Sequence, residues 1–249
     1  MCDSKTCMEV TGASTRRLFL HKTGAVAFAA AIGSVMFGHP AVAAEVTALP
    51  KPQNKLSPDD AVRHMMDGNG RYVSGGTRRH DFASEREALN HGQNPYAAVL
   101  SCSDSRIAPE YAFDSTRGDL FVVRVAGNLV NDDVMGSLEY AVAVLNVPVI
   151  FVLGHDKCGA VDAAINVSTK GTTYPGKIQS LTTKILPAVN KVKGKAVNLL
   201  DAAIAQNVRD SMVNLREQSA IIQEAEKSGR LRIVGGVYRL RTGAVELLG

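Results

Sequence analysis

The stretch Ala97-Ala98-Val99-Leu100-Ser101-Cys102-Ser103-Asp104-Ser105-Arg106 is an apolar run of strand length that stops abruptly at a thiol, a carboxylate and a guanidinium. A second stretch has the same form: Val149-Ile150-Phe151-Val152-Leu153 runs into Gly154-His155-Asp156-Lys157-Cys158-Gly159. Near-continuous apolar runs of this length read as strands buried on both faces, the pattern of a parallel sheet. In an open parallel sheet, ligands gather beyond the carboxyl ends of the strands. The two runs therefore bring Cys102, His155 and Cys158 to one edge.

Working outward, Leu120-Phe121-Val122-Val123-Arg124-Val125 is a third such run, closed by Gly127-Asn128. Between it and Pro148, Val134, Leu138, Ala141, Val142 and Leu145 recur at helical spacing, with Asp132 or Asp133 suited to the cap. Strand, helix, strand, helix, strand implies right-handed crossovers and an α/β fold with a mostly parallel central sheet flanked by helices. Upstream, Ser57-Pro58 opens a helix whose apolar face is Ala61, Val62, Met65 and Met66. Residues 77–94 are polar and carry His80 and His91, to which no role is assigned. Downstream, helices are expected over residues 160–165, over 178–192 with an interruption at Pro187, and over 199–227 as one long pattern ended by Ser228-Gly229. Residues 231–238 read as a strand, and Thr242-Gly243 turns the chain into residues 244–247, an antiparallel C-terminal edge strand.

With 249 residues, 45% hydrophobic and 21% charged, the chain can bury a sizeable core. Formal net charge is +4, or +2 without residues 1–44, and no run of Lys and Arg tracks a phosphate backbone. Nucleic acid is therefore not an expected partner; a small molecule is. Thr15-Arg16-Arg17-Leu18-Phe19-Leu20 precedes an apolar stretch over residues 24–37, then Pro40 and Ala41-Val42-Ala43-Ala44. This reads as a twin-arginine export signal over residues 1–44, cleaved near Ala43 or Ala44, and predicts a periplasmic protein. The apolar stretch falls short of the ~20 residues that span a bilayer, so no stable membrane anchor is expected. Residues 45–56 read as a flexible leader and residues 57–249 as the folded domain.

Of four cysteines, Cys2 and Cys7 fall in the export segment, which leaves Cys102 and Cys158. Two cysteines in an oxidising compartment can form a disulfide, and a closed structural zinc site is a further non-catalytic reading. Against the disulfide stand the ionisable neighbours and the three-residue spacing of His155 and Cys158. The twin-arginine route also carries proteins already folded, so a metal can be loaded first. A catalytic zinc site offers three protein ligands of thiolate, imidazole or carboxylate type plus an open fourth position, and Cys102, His155 and Cys158 supply such a set. Asp104 has two options: to bind the metal as a fourth ligand in a closed state, or to pair with Arg106 and accept a hydrogen bond from metal-bound water. Only the second leaves room for a substrate.

Cys-Ser-Asp-Ser-Arg at 102–106 together with Gly-His-x-x-Cys-Gly at 154–159 resembles the β-class carbonic anhydrases, and the similarity runs from about Ser57 to the end of the chain. The resemblance implies a zinc enzyme, with one Zn2+ per subunit, that hydrates CO2 reversibly to bicarbonate and a proton. It implies Cys102, His155 and Cys158 as zinc ligands and Asp104 and Arg106 as the catalytic dyad that opens or blocks the fourth position. It further matches Gln93, Phe121 and Tyr140 to the family's pocket residues, with Gly159 lining the site, and implies a homodimer or homotetramer whose pocket is shared between subunits. Two departures are Val125, where Asn is common in the family, and the absence of Trp, which removes the Trp-containing form of a bicarbonate-triggered inhibitory site. A CS2 or COS hydrolase on the same scaffold is the neighbouring alternative, since both substrates are linear apolar analogues of CO2.

Overall fold

The apolar runs pair as adjacent parallel strands. In a computed structural model that describes residues 55–249, the chain order is α1 (Pro58–Ser74), α2 (Phe82–Leu89), β1 (Ala97–Ser101), α3 (Pro109–Ala112), β2 (Leu120–Arg124), α4 (Asp132–Ala143), β3 (Val149–His155), α5 (Gly159–Lys170), α6 (Ile178–Val192), α7 (Leu199–Gln218), α8 (Ala220–Lys227), β4 (Arg232–Tyr238) and β5 (Val245–Leu248). The export segment and most of the leader lie outside the described residues. The sheet order is β2-β1-β3-β4-β5, parallel throughout except for the antiparallel pair β4 and β5. After β1 the chain steps to one side to make β2, then crosses back to make β3 on the other side. This reversal opens a crevice beyond the carboxyl ends of β1 and β3, the position where open α/β sheets bind ligands.

Alternation along the strands builds a core on each face. Ala98, Leu100, Ile150 and Val152 pack with Val134, Leu138 and Val142 of α4, Val208 and Leu215 of α7 and Ile222 of α8. Ala97, Val99, Val149, Phe151 and Leu153 face the other way, onto Ala61, Val62 and Met65 of α1 and Phe113 just past α3. Among the described residues no helix is long and apolar enough to cross a membrane.

Helix α1 begins as its sequence suggests: Ser57 accepts from the Asp60 N–H, Pro58 fills the first turn, and Gly75 closes the helix in the left-handed conformation. Three local features differ from expectation. Helix α2 forms within the polar segment, where Asp81 accepts from the Ala83 N–H and His80 stacks on Phe82. Helix α6 runs through Pro187; the proline forfeits one backbone hydrogen bond, but buried Ile185, Ala188 and Val189 hold both sides of it. The long pattern after Leu199 breaks at Ser219, whose extended backbone (φ −125°, ψ 112°) lets its hydroxyl accept from the Ile222 N–H and donate to Glu139.

One buried ion pair ties α1 to the β1–β2 connection. Asp114, 3% exposed, accepts from Arg71 Nε at 2.5 Å and from the Arg78 N–H at 2.9 Å. Burial pushes its carboxyl upward, yet the Arg71 hydrogen bond and the Arg78 N–H more than offset this and leave it below the ordinary carboxylate range. Asp114→Asn keeps a side chain that tolerates the positive φ of 44° found here. It is expected to cost about 3 kcal/mol, because the Arg71 charge loses its partner. The native pKa is the depressed one, so this contribution is complete above the unfolded carboxyl's pKa and is lost as pH falls through the native value. In urea denaturation the gap between wild type and variant is therefore expected to be full at pH 7 and to shrink below about pH 4.

Candidate active site

Register delivers the ligands. Ser101 of β1 lies opposite Leu153 of β3, so Cys102 and the Gly154-His155 pair emerge side by side at the open crevice. Lys157 then adopts a left-handed conformation (φ 53°), which turns the chain back and sets Cys158 at the start of α5. Asp156 pins this turn: its N–H donates to Tyr238 O and its Oδ1 accepts from the Leu240 N–H. As a result one ligand atom each from Cys102, His155 and Cys158 lies within 4.8 Å of the others, and all three residues are buried. Both cysteines are free thiols.

His155 is oriented by its own neighbour. Its Nδ1 lies 2.8 Å from Asp156 O, and since a carbonyl only accepts, Nδ1 carries the proton and Nε2 carries the lone pair. Nε2 is buried and has no hydrogen-bond partner. An orphaned buried lone pair beside two sulfurs suits a soft or borderline metal ion, and two Cys with one His is a known donor set for zinc with one position left open. The sulfurs are electrostatically unequal. The Cys158 thiol above all, helped by the backbone N–H groups of Gly127 and Asp104, outweighs burial and holds Cys102 down to about 4. As the donor of that pair, and buried besides, Cys158 is pushed well above the ordinary thiol range.

Asp104 faces Arg106. The guanidinium makes two parallel bonds, Nε to Oδ1 at 2.9 Å and Nη2 to Oδ2 at 2.7 Å, and the Arg106 N–H donates to Oδ1 as well. Arg106 holds the carboxyl well below the ordinary range, so it stays ionised. Oδ2 nevertheless remains 3.8 Å from His155 Nε2, at the border of the ligand cluster. Arg124, unassigned from sequence, closes the loop from β2: its Nε donates to Cys102 O at 3.0 Å and its Nη2 to Asp104 O at 2.7 Å. The signal was present as a lone guanidinium inside an apolar run, between Val123 and Val125.

The sequence model of the family described as carbonic anhydrase matches residues 97–245. A carbonic anhydrase of Mycolicibacterium smegmatis is 38% identical over 192 residues, covering 77% of this chain and 93% of the relative. The structure of the β-carbonic anhydrase CcaA superposes with a TM-score of 0.60 at 28% identity, over 74% of this chain and 86% of that one. The chain belongs to the β-carbonic anhydrase family. The tetrameric β-carbonic anhydrases of Sordaria macrospora share the fold, with a TM-score of 0.61 at 22% identity over 76% of this chain and 96% of theirs.

Within one chain of this carbonic anhydrase the expected pocket residues are not all together. Gly159 is exposed beside buried Cys158. Gln93 is exposed and comes before Ala97, the first residue of β1, whereas Cys102 follows its last. Phe121 lies opposite Ala98, about 13 Å along the sheet from Cys102. Tyr140 travels with Phe121, their ring centroids 6.2 Å apart, on the β2 edge. The single chain thus assembles the ligand set and the dyad at one end and leaves Gln93, Phe121 and Tyr140 elsewhere.

The unequal sulfurs make a measurable statement. Below about pH 7 the coupled sulfurs of Cys102 and Cys158 share one proton between them, and metal ligation needs both deprotonated. Zinc added to the metal-free chain in weak buffer is expected to release about one proton per chain from the sulfur pair. Indicator-dye titration at about pH 6, where a metal-bound water would keep its proton, reads this directly; release of two would mean that both sulfurs are protonated in the metal-free chain.

Proposed function

We propose that this carbonic anhydrase converts carbon dioxide and water to bicarbonate and a proton, reversibly, at one zinc ion per subunit held by Cys102, His155 and Cys158. The observation that carries the reading is the convergence of two buried sulfurs and an unpartnered imidazole nitrogen within 4.8 Å. Zinc, when bound, supplies the positive charge that ionises a water near neutral pH. Asp104 is an ionised acceptor and not a donor, so it takes the hydrogen bond of a nucleophile that still carries one proton and turns its lone pair toward the substrate carbon. Arg106 keeps that carboxylate charged and turned aside, which leaves the fourth position free. The product proton goes to solvent across the exposed loop.

The distant pocket residues find a place if two copies associate along β2. Among the described residues this strand has a neighbour on one side only, and an unpaired strand edge invites a second chain. Next to it Tyr140 and Val144 are 46% and 56% exposed, and Phe121 is half-buried. Such an apolar edge marks an interaction surface. We place Gln93, Phe121 and Tyr140 of a second copy over each ligand cluster, Gln93 donating to the charge that develops on the CO2 oxygen and the rings supplying an apolar wall. The Arg16-Arg17 segment supports export, so that CO2 and bicarbonate would be interconverted outside the inner membrane.

Stopped-flow CO2 hydration on the zinc-loaded chain tests the reaction. Wild type is expected to be active, Cys158→Ser to fall to background, and Asp104→Asn to retain zinc while losing about 10²-fold in kcat/KM. Zinc-loaded wild type without activity sinks the proposal. Val144→Lys leaves the chain's own core untouched and is expected to lower the mass seen by light scattering and the turnover together, with zinc retained. Activity in a monomer would confine the pocket to one chain.

A further inference from the structure

Asn207 lies in α7 among Ala203, Ile204, Val208 and Leu215, the buried stripe of that helix, and is itself 4% exposed. Its Nδ2 donates to Gly127 O at 2.7 Å. Gly127 in turn donates its N–H to Cys102 Sγ at 3.3 Å. We infer that Asn207 is a positioning residue for Cys102, holding Gly127 so that its N–H stays aimed at the ligand sulfur; the inference rests on the metal reading above.

The geometry leaves Gly127 few other anchors. It adopts φ +78°, and a Cβ there would stand 2.6 Å from Ile185 Cδ1 and 3.3 Å from Ala160 Cβ. The residue is therefore a bare backbone link wedged between α5 and α6, with no side chain to fix it. Helix α7 reaches it because the strands beneath are notched: a Cβ on Gly154 would meet Val208 at 2.6 Å, and one on Gly235 would meet Met212 at 2.5 Å. One turn further along α7, Ser211 donates to Asn128 O at 3.0 Å. Ser211 thus grips the same loop from the same helix face, one residue away from the group that touches sulfur. An N–H to sulfur bond withdraws charge from the thiolate, and outer hydrogen-bond partners of this kind change metal affinity by about 10–100-fold.

The test uses the full chain with cobalt(II) alone as probe. Asn207→Asp keeps the shape and sets an acceptor against the Gly127 carbonyl; Asn207→Ala removes the donor without adding one. Both are expected to weaken cobalt binding about tenfold or more in chelator competition, and to shift the sulfur-to-cobalt charge-transfer band while circular dichroism stays native. Ser211→Ala is expected to lower the melting temperature and leave band and affinity unchanged. Wild-type affinity and band in a folded Asn207 variant overturn the inference, as does an equal shift in Ser211→Ala. Failure of both Asn207 variants to fold makes the residue structural and overturns it too. Wild type that binds no cobalt sinks the metal reading itself, a separate and recognisable result.

Discussion

The structure depends on the lateral register between β1 and β3, in which Ser101 stands opposite Leu153. Because side chains alternate along a strand, a slip of one residue would turn Cys102 to the opposite face and dissolve the ligand set. What prevents the slip is burial on both sides: Leu100 and Val152 belong to one core while Val99 and Phe151 belong to the other. Each would have to exchange environments with its neighbour. Apolar packing, which carries no chemistry, thereby sets the positions of two sulfurs and a nitrogen within 4.8 Å.

Around the ligands, stability and function separate. The Asp104–Arg106 pair is half in solvent, with the Arg106 side chain 49% exposed, and so contributes little to folding. Its geometry is nonetheless tightly specified, since Arg106 also reaches Lys157 O and Arg124 holds the carbonyls of Cys102 and Asp104. The loops after β1 and β3 and the end of β2 are thereby tied together beside the Cys102, His155 and Cys158 cluster. The buried Asp114–Arg71 pair does the reverse: it joins α1 to the sheet and touches none of the ligands.

The strands, their mostly parallel order and the convergence of Cys102, His155 and Cys158 were legible because each depends on local pattern: apolar runs, an abrupt stop, and His155 and Cys158 three residues apart. Helix α2 was not, since its eight residues bury little beyond Ala88 and no apolar stripe announces it. Nor was the break at Ser219, which depends on Glu139 from a remote helix. Gln93, Phe121 and Tyr140 show a further limit. Linear spacing relates them to the motifs, but the intervening strand length decides whether they can meet those motifs within one chain. Asn207 left the faintest trace, a polar residue on the apolar stripe of α7, which sequence alone reads as a blemish in the pattern.

Gly154 connects these levels. It belongs to the stretch that carries His155 and Cys158. Its surroundings assign it to packing, because Val208 occupies the space its side chain would need. A substituent there would have to displace Val208 of α7, the helix whose Asn207 amide holds Gly127. A residue of the Gly-His-x-x-Cys-Gly stretch thus packs against the same helix that reaches the loop beside Cys102. From this glycine the contacts run in succession through Val208, α7, the Asn207 amide and the Gly127 backbone to the Cys102 sulfur.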